Sequence, residues 1–152
     1  MQISVDDPLR DDVLVLLEEH LADMRATSPP ESVHALDPSE LVGPGLTFWT
    51  LRDDGVLLGC AALKEIDAGH AEIKSMRTAA AARRRGVARL LLDHVLVTAR
   101  ERGYERLSLE TGTQDFFAPA RALYVSRGFT ECGPFASYVL DPHSVFFSTT
   151  LE

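Results

Sequence analysis

The feature that most constrains this chain is the run Ala71-Glu72-Ile73-Lys74-Ser75-Met76-Arg77-Thr78, followed by four alanines and then by Arg83-Arg84-Arg85-Gly86-Val87-Ala88-Arg89. The first part reads as a strand. The last opens an apolar stripe of Val87, Leu91, Val95 and Ala99, with Leu90 and Thr98 beside it, that ends at Gly103 and predicts a long helix. A strand that passes into a helix through a short turn leaves unpaired N–H groups at the first helical turn, and the helix dipole adds positive charge there. Such a junction suits a phosphate or diphosphate group. Gly86 allows close backbone approach, Ala88 keeps the next position small, and the arginines add charge-assisted hydrogen bonds. Two other readings of the arginine run stand beside this one. It is a solvated helix start in a chain with only two lysines, Lys64 and Lys74, or a local RNA contact, for which the run lacks interleaved stacking aromatics.

The remaining pattern fits around that junction. Met1 to Val5 reads as a short strand, and Asp6-Asp7-Pro8 as the entry to a helix over Leu9 to Met24, where Val13, Leu16, Leu17, His20, Leu21 and Met24 recur at helical spacing. Ser28 to Gly45 is breaker-rich and reads as a surface connection. Thr47 to Arg52 and Val56 to Lys64 flank Asp53-Asp54-Gly55 and predict a hairpin, with Ala71 to Thr78 as a third antiparallel neighbour. Arg106 to Glu110 is a further strand, Ala118 to Arg127 a helix closed by Gly128-Phe129, and Ser144 to Leu151 a last strand. Strand, helix, strand in succession predicts a parallel pair across the long helix. With 152 residues, 45% of them hydrophobic, the expectation is one α+β domain over 1–152, with helices on both faces of a mixed sheet.

The central segment resembles the acyl-CoA signature of the GNAT superfamily of N-acetyltransferases, Arg/Gln-x-x-Gly-x-Gly/Ala at a helix start after a strand, here Arg83-x-x-Gly86-x-Ala88. Downstream, Ala120-x-x-Leu123-Tyr124-x-x-x-Gly128-Phe129 is similar to the family's second helix, and Cys132 to Phe146 looks like a group of bacterial acetyltransferases without an obvious acceptor. The resemblance implies a mainly antiparallel sheet with a central pair of parallel strands that splay into a cleft, and acetyl-CoA as cosubstrate. It implies that Met76 and Thr78 present backbone groups to the pantetheine arm, that Arg83, Arg84, Gly86, Val87, Ala88 and Arg89 surround the diphosphate, and that Arg127 approaches the nucleotide end. The chain departs from the family pattern at Ala80, where many relatives have proline, and at Phe117, where many have asparagine.

Acyl transfer from a thioester to an amine needs a neutral amine, a polarised carbonyl and a stabilised or protonated thiolate. The resemblance assigns polarisation to the backbone N–H near Met76 and the general acid to Tyr124. Tyr124 has a packing reading too, because a Schellman end with Gly128 at C′ brings Phe129 against it. For the base, Glu72 ranks ahead of Glu110, and deprotonation through water alone is the third option. Direct transfer to a primary amine of a small molecule is the expected reaction, with a peptide amine behind it. The rival from another class is a non-catalytic acyl-CoA-binding regulatory module.

The net charge of −8 disfavours nucleic acid and favours cationic partners such as amines. No apolar run is long enough to span a membrane and the first residues lack a signal-peptide pattern, so the expected location is cytoplasmic with no membrane partner. Cys60 and Cys132 read as free thiols, His20 and His94 as core-edge residues, and His34, His70 and His143 as loop residues without metal-ligand spacing, so no metal is expected. Phe116, Phe117, Phe135, Tyr138, Phe146 and Phe147 read as either acceptor-pocket wall or plain core. A homodimer through the C-terminal strand is the expected assembly, if there is one.

Overall fold

The computed structural model describes residues 1–33 and 37–151; His34 lies outside them. Seven strands form one sheet in the order β1-β2-β3-β4-β5-β7-β6: β1 (Gln2–Val5), β2 (Leu46–Asp53), β3 (Val56–Asp67), β4 (His70–Thr78), β5 (Arg106–Gly112), β6 (Thr130–Cys132) and β7 (Ser144–Thr150). All neighbours are antiparallel except β4 and β5. The β2–β3 turn has Asp54 at φ 50° and Gly55 at φ 79°, the two left-handed residues that a tight hairpin with the sheet's twist requires.

Side-chain alternation along the strands separates two cores. Trp49, Leu51, Ala61 and Leu63 point to one face, where α2 (Val87–Glu101) lays Val87, Leu91, Leu92 and Val95 and α3 (Ala118–Ser126) adds Tyr124. Phe48, Cys60 and Ala62 point to the other, beneath Val13, Leu16 and Leu17 of α1 (Asp11–Thr27). Contact on the α2 side is close: a Cβ built on Gly59 of β3 would stand 2.7 Å from Val87 Cγ1 and 2.8 Å from the Arg77 carbonyl oxygen. The arrangement is the expected mixed α+β sheet with helices on both faces.

Three local expectations need correction. Helix α1 begins at Asp11 and not at Leu9, because Asp7 Oδ1 accepts the Leu9 N–H in a turn of its own. Asp6 turns to β2 instead, accepting from the Thr50 hydroxyl at 2.6 Å and pairing with Arg52 and Arg10; those contacts bring its carboxyl down to about 2 against the opposing effect of burial. The Ser28–Gly45 connection carries two short 3-10 turns, Pro30–Ser32 and Pro38–Leu41, and Leu41 plugs the α1 core. Finally, the C-terminal strand is not an edge. β7 pairs with β5 along one side and with β6 along the other, so the free edges belong to β1 and β6, and pairing of two copies through β7 is blocked.

Candidate active site

The parallel pair β4–β5 is joined only at His70–Arg106, Ala71–Leu107 and Glu72–Ser108; beyond Glu72 and Ser108 the strands part. The cause on the β4 side is a bulge. Cys60 pairs with Arg77 and Ala62 with Lys74, so Ser75 and Met76 face the single residue Ala61, and Ser75 sits at φ 53°. An extra residue bends the strand and re-aims its neighbours. Arg77, just past the bulge, is buried and holds the strand to α1 through Glu19 at 2.5 Å and Asp23 at 2.6 Å, and Glu19 also accepts the Ala80 N–H.

Two cavities open from this fork and share His20, Met76, Phe117, Ala120 and Tyr124 as lining residues. The larger, about 540 Å³, runs from Met76 and Thr78 to the start of α2 and is lined there by Arg83, Arg84, Gly86, Val87, Ala88 and Arg89. Gly86 takes φ 78° as the N-cap of α2 and offers no side-chain cap, which leaves the first-turn N–H groups without that partner. Arg84 is left-handed as well, at φ 66°. Arg83 leans over the groove, 3.5 Å from Asp23 of α1 and with its guanidinium 5.5 Å from the centre of the Phe116 ring. All the residues expected around a diphosphate therefore border one groove, whereas Arg127, expected at the nucleotide end, does not. That side chain is absent from the groove's lining and binds Asp93 of α2 through Nε at 2.7 Å.

The smaller cavity, about 110 Å³, lies between the splayed strands and the 133–143 segment, and its titratable side chains include Glu72, Lys74, Glu110, Tyr124 and Tyr138. The two candidate bases differ in surroundings. Glu72 is only 3% exposed; its Oε2 accepts the Tyr138 hydroxyl at 2.6 Å and lies 3.4 Å from Lys74 Nζ. Glu110 has neither partner. Burial pushes its carboxyl up to about 7, and the Ser144 hydroxyl and the Lys74 charge only partly oppose this; Ser144 Oγ lies close without meeting hydrogen-bond geometry. A carboxyl at that value is half-ionised near neutrality, as a base for proton transfer should be.

Tyr124 stands where the two cavities meet. Its hydroxyl lies 3.8 Å from Met76 Sδ, and burial together with the nearby Glu110 charge raises it to about 12, so it keeps its proton at neutral pH. The packing reading holds as well: Phe129 N–H donates to the Tyr124 carbonyl at 3.1 Å, Gly128 N–H to that of Val125 at 3.1 Å, and the Phe129 ring meets the Tyr124 ring edge-on. The helix end that packs the ring thereby aims the hydroxyl.

Several lining residues carry no sequence signal of their own. Lys74 looks like any strand lysine until the 133–143 segment folds over it, and Tyr138 contacts it across more than sixty residues of chain. His20, on the inner side of α1, lines both cavities, and burial followed by the Arg77 charge depresses its imidazole to about 4. Phe117, where the resemblance implies an asparagine, lies across Gly112, where an added Cβ would come within 2.3 Å of its ring. His94 packs edge-on to Trp49 and lines neither cavity.

Known proteins share both sequence and fold. Residues 13–129 match the family model described as Acetyltransferase (GNAT) family. A Bacillus subtilis (strain 168) protein named Uncharacterized N-acetyltransferase YsnE is 52% identical over 99% of this chain and 100% of its own length. Uncharacterized N-acetyltransferase YedL of Escherichia coli (strain K12) is 50% identical over 98% of this chain and 94% of its own. Among solved structures, a GNAT family acetyltransferase from Elizabethkingia anophelis with acetyl-CoA bound has the same fold, with a TM-score of 0.69 at 17% identity over 99% of this chain and 97% of that one. A forked parallel strand pair, a glycine-capped helix start ringed by arginines and a tyrosine at the junction thus coincide with similarity along nearly the whole sequence, and the chain belongs to the GNAT family of acetyltransferases.

Proposed function

We propose that this protein transfers the acetyl group of acetyl-CoA to a primary amine of a small molecule, by direct attack within a ternary complex. The observation that carries the proposal is the placement of Glu110 and Tyr124, one held near neutrality and the other held protonated, on the walls of one small cavity that joins the arginine-bordered groove. The groove fits the coenzyme: first-turn N–H groups of α2 with Arg83, Arg84 and Arg89 would hold the diphosphate, and Met76 and Thr78 line the path from there to the fork. The polar side chains that converge in the other cavity, Glu72, Lys74, Glu110 and Tyr138, favour a small polar acceptor.

In this reading Glu110 takes the proton that the ammonium must lose before its nitrogen attacks the thioester carbon. The backbone N–H beside Met76, turned by the bulge, stabilises the oxyanion. As the new C–N bond forms and the C–S bond breaks, Tyr124 gives its proton to the departing sulfur, and the second proton that the nitrogen sheds on becoming an amide returns to the Tyr124 oxygen. Glu72, enclosed by Tyr138 and Lys74, shapes the cavity and does not serve as the base.

The test is release of free coenzyme A from acetyl-CoA over a panel of amino acids, polyamines, aminoglycosides and short peptides. Amine-dependent release is expected, and Glu110→Gln should abolish most of it while calorimetry shows acetyl-CoA still bound. Saturable binding without release on any amine would instead identify a binding module.

A further inference from the structure

Of the two lysines in the chain, Lys64 is exposed on β3 and Lys74 lines the small cavity with its side chain 9% exposed. A buried ammonium is costly unless its hydrogen bonds are satisfied, and it has three to give. Two are accounted for. One goes to the Tyr138 hydroxyl at 2.8 Å, a neutral acceptor that itself donates onward to Glu72. The other reaches Glu72 Oε2 at 3.4 Å, long for a charge-assisted bond, because the same oxygen already holds Tyr138 at 2.6 Å. Among the described residues the third donor meets no protein acceptor, and the cavity is beside it.

Across the fork stands Glu110. Glu72 pairs with Ser108, and Lys74 and Glu110 each lie two residues further along, so their side chains leave the same face of the two diverging strands. The Lys74 charge acts on Glu110, which places the two ends of the cavity within electrostatic reach of each other. One wall therefore carries a carboxylate able to receive an ammonium, and the facing wall carries an ammonium with an open valence. A simple alkylamine would answer the first and leave the second unmet.

On these grounds, and resting on the acetyl-transfer reading above, we propose that the acceptor is a small amino acid-like zwitterion, a primary amine with a carboxylate a few bonds away, and that Lys74 is the residue that selects it by binding that carboxylate. Tyr138 acts as the positioning residue, because its hydroxyl holds the ammonium against Glu72 while its ring lies under it, with Nζ 5.4 Å from the ring centre.

The experiment compares matched acceptors: α- and β-amino acids of small side chain, each against its carboxamide and its decarboxylated amine, by coenzyme A release with purified wild type and Lys74→Gln. The expected result is kcat/KM at least tenfold higher for the acids than for their amides with wild type, and a ratio falling to near one in Lys74→Gln. Equal rates for acid and amide in wild type, or a ratio that survives the substitution, would overturn the assignment. If Lys74 merely tunes Glu110, the substitution would shift the pH profile for acids and amides alike and leave the ratio unchanged, which also overturns it. Calorimetry with the N-acetylated acids in the presence of coenzyme A separates this proposal from the catalytic one: carboxylate-dependent binding lost in Lys74→Gln, with no turnover of any acceptor, would support Lys74 and sink the transfer reading. Absence of such binding would sink the Lys74 assignment. Circular dichroism and retained acetyl-CoA binding show whether Lys74→Gln is folded; if it is not, the wild-type acid-to-amide ratio still tests the zwitterionic acceptor, and a ratio near one in Lys74→Met, which keeps the stem and removes the charge, tests the residue.

Discussion

At the residue scale, the proposed chemistry divides between two groups with opposite protonation requirements. Glu110 must be ionised to act, so kcat/KM should rise as pH passes upward through about 7, and Glu110→Gln should remove that limb and cost roughly a hundredfold or more in rate. The same group has a stability signature of opposite sense. Its folded value lies above the ordinary 4.5, so between about 4.5 and about 7 the unfolded chain binds fewer protons than the fold, and stability declines as pH rises through that window. Glu110→Gln should lack this decline, and thermal melts at pH 5 and pH 8 will show the variant gaining on wild type at the higher pH. Tyr124 needs its proton and keeps it, since burial holds it at about 12. Tyr124→Phe should lower kcat tenfold or more while the Kd for acetyl-CoA changes far less, and a matching loss in both would assign Tyr124 to binding. The sequence alone brings Glu110 and Tyr124 forward as candidates and ranks Glu72 ahead of Glu110 among the two carboxylates, whereas the proposed mechanism reverses that order. Their difference is one of enclosure: Glu72 is held by Tyr138 from far along the chain and Glu110 is not, and no local pattern encodes that.

At the scale of elements, the strand–turn–helix junction was legible because its determinants are local: an alternating strand, small residues in the turn, a glycine, then a periodic stripe. The Schellman end of α3 was legible for the same reason, with Gly128 at φ 90° and both of its hydrogen bonds formed. Short or irregular pieces were not. β6 is three residues long and owes its existence to β7, and the bulge in β4 depends on the offset between two strands. The start of α1 moved because Asp6 and Asp7 each found a partner other than the helix. Gly86 must adopt φ 78°, and a Cβ there would stand 3.3 Å from Arg89 Nη2, so Gly86→Ala should cost about 1 kcal/mol of stability and weaken acetyl-CoA binding, measured by melts and titration. Gly59→Ala acts through packing instead. Its Cβ would meet Val87 and the Arg77 backbone below 3.0 Å, prying α2 from the sheet at a cost of roughly 1–3 kcal/mol.

At the scale of the whole molecule, a chain of net charge −8 sets three exposed arginines, Arg83, Arg84 and Arg89, along one groove, and no helix among the described residues is long and apolar enough to cross a membrane. Acetyl-CoA, binding only the fold, should stabilise it by about 2.7 kcal/mol at a concentration a hundred times its Kd, and the gain should shrink as salt screens the arginines. Differential scanning calorimetry at two ionic strengths checks both. The clamp of Arg77 on Glu19 and Asp23 ties α1 to the far side of the bulge, so the two cavities of the proposed site share one fixed point. The sheet itself is divided at its middle and not at its rim, since β4 and β5 stay joined for three pairs and then diverge. A change that straightened Ser75 and let the two strands pair along their length should therefore raise the melting temperature by closing the seam, and leave a well-folded protein with nowhere to put either of the proposed reactants.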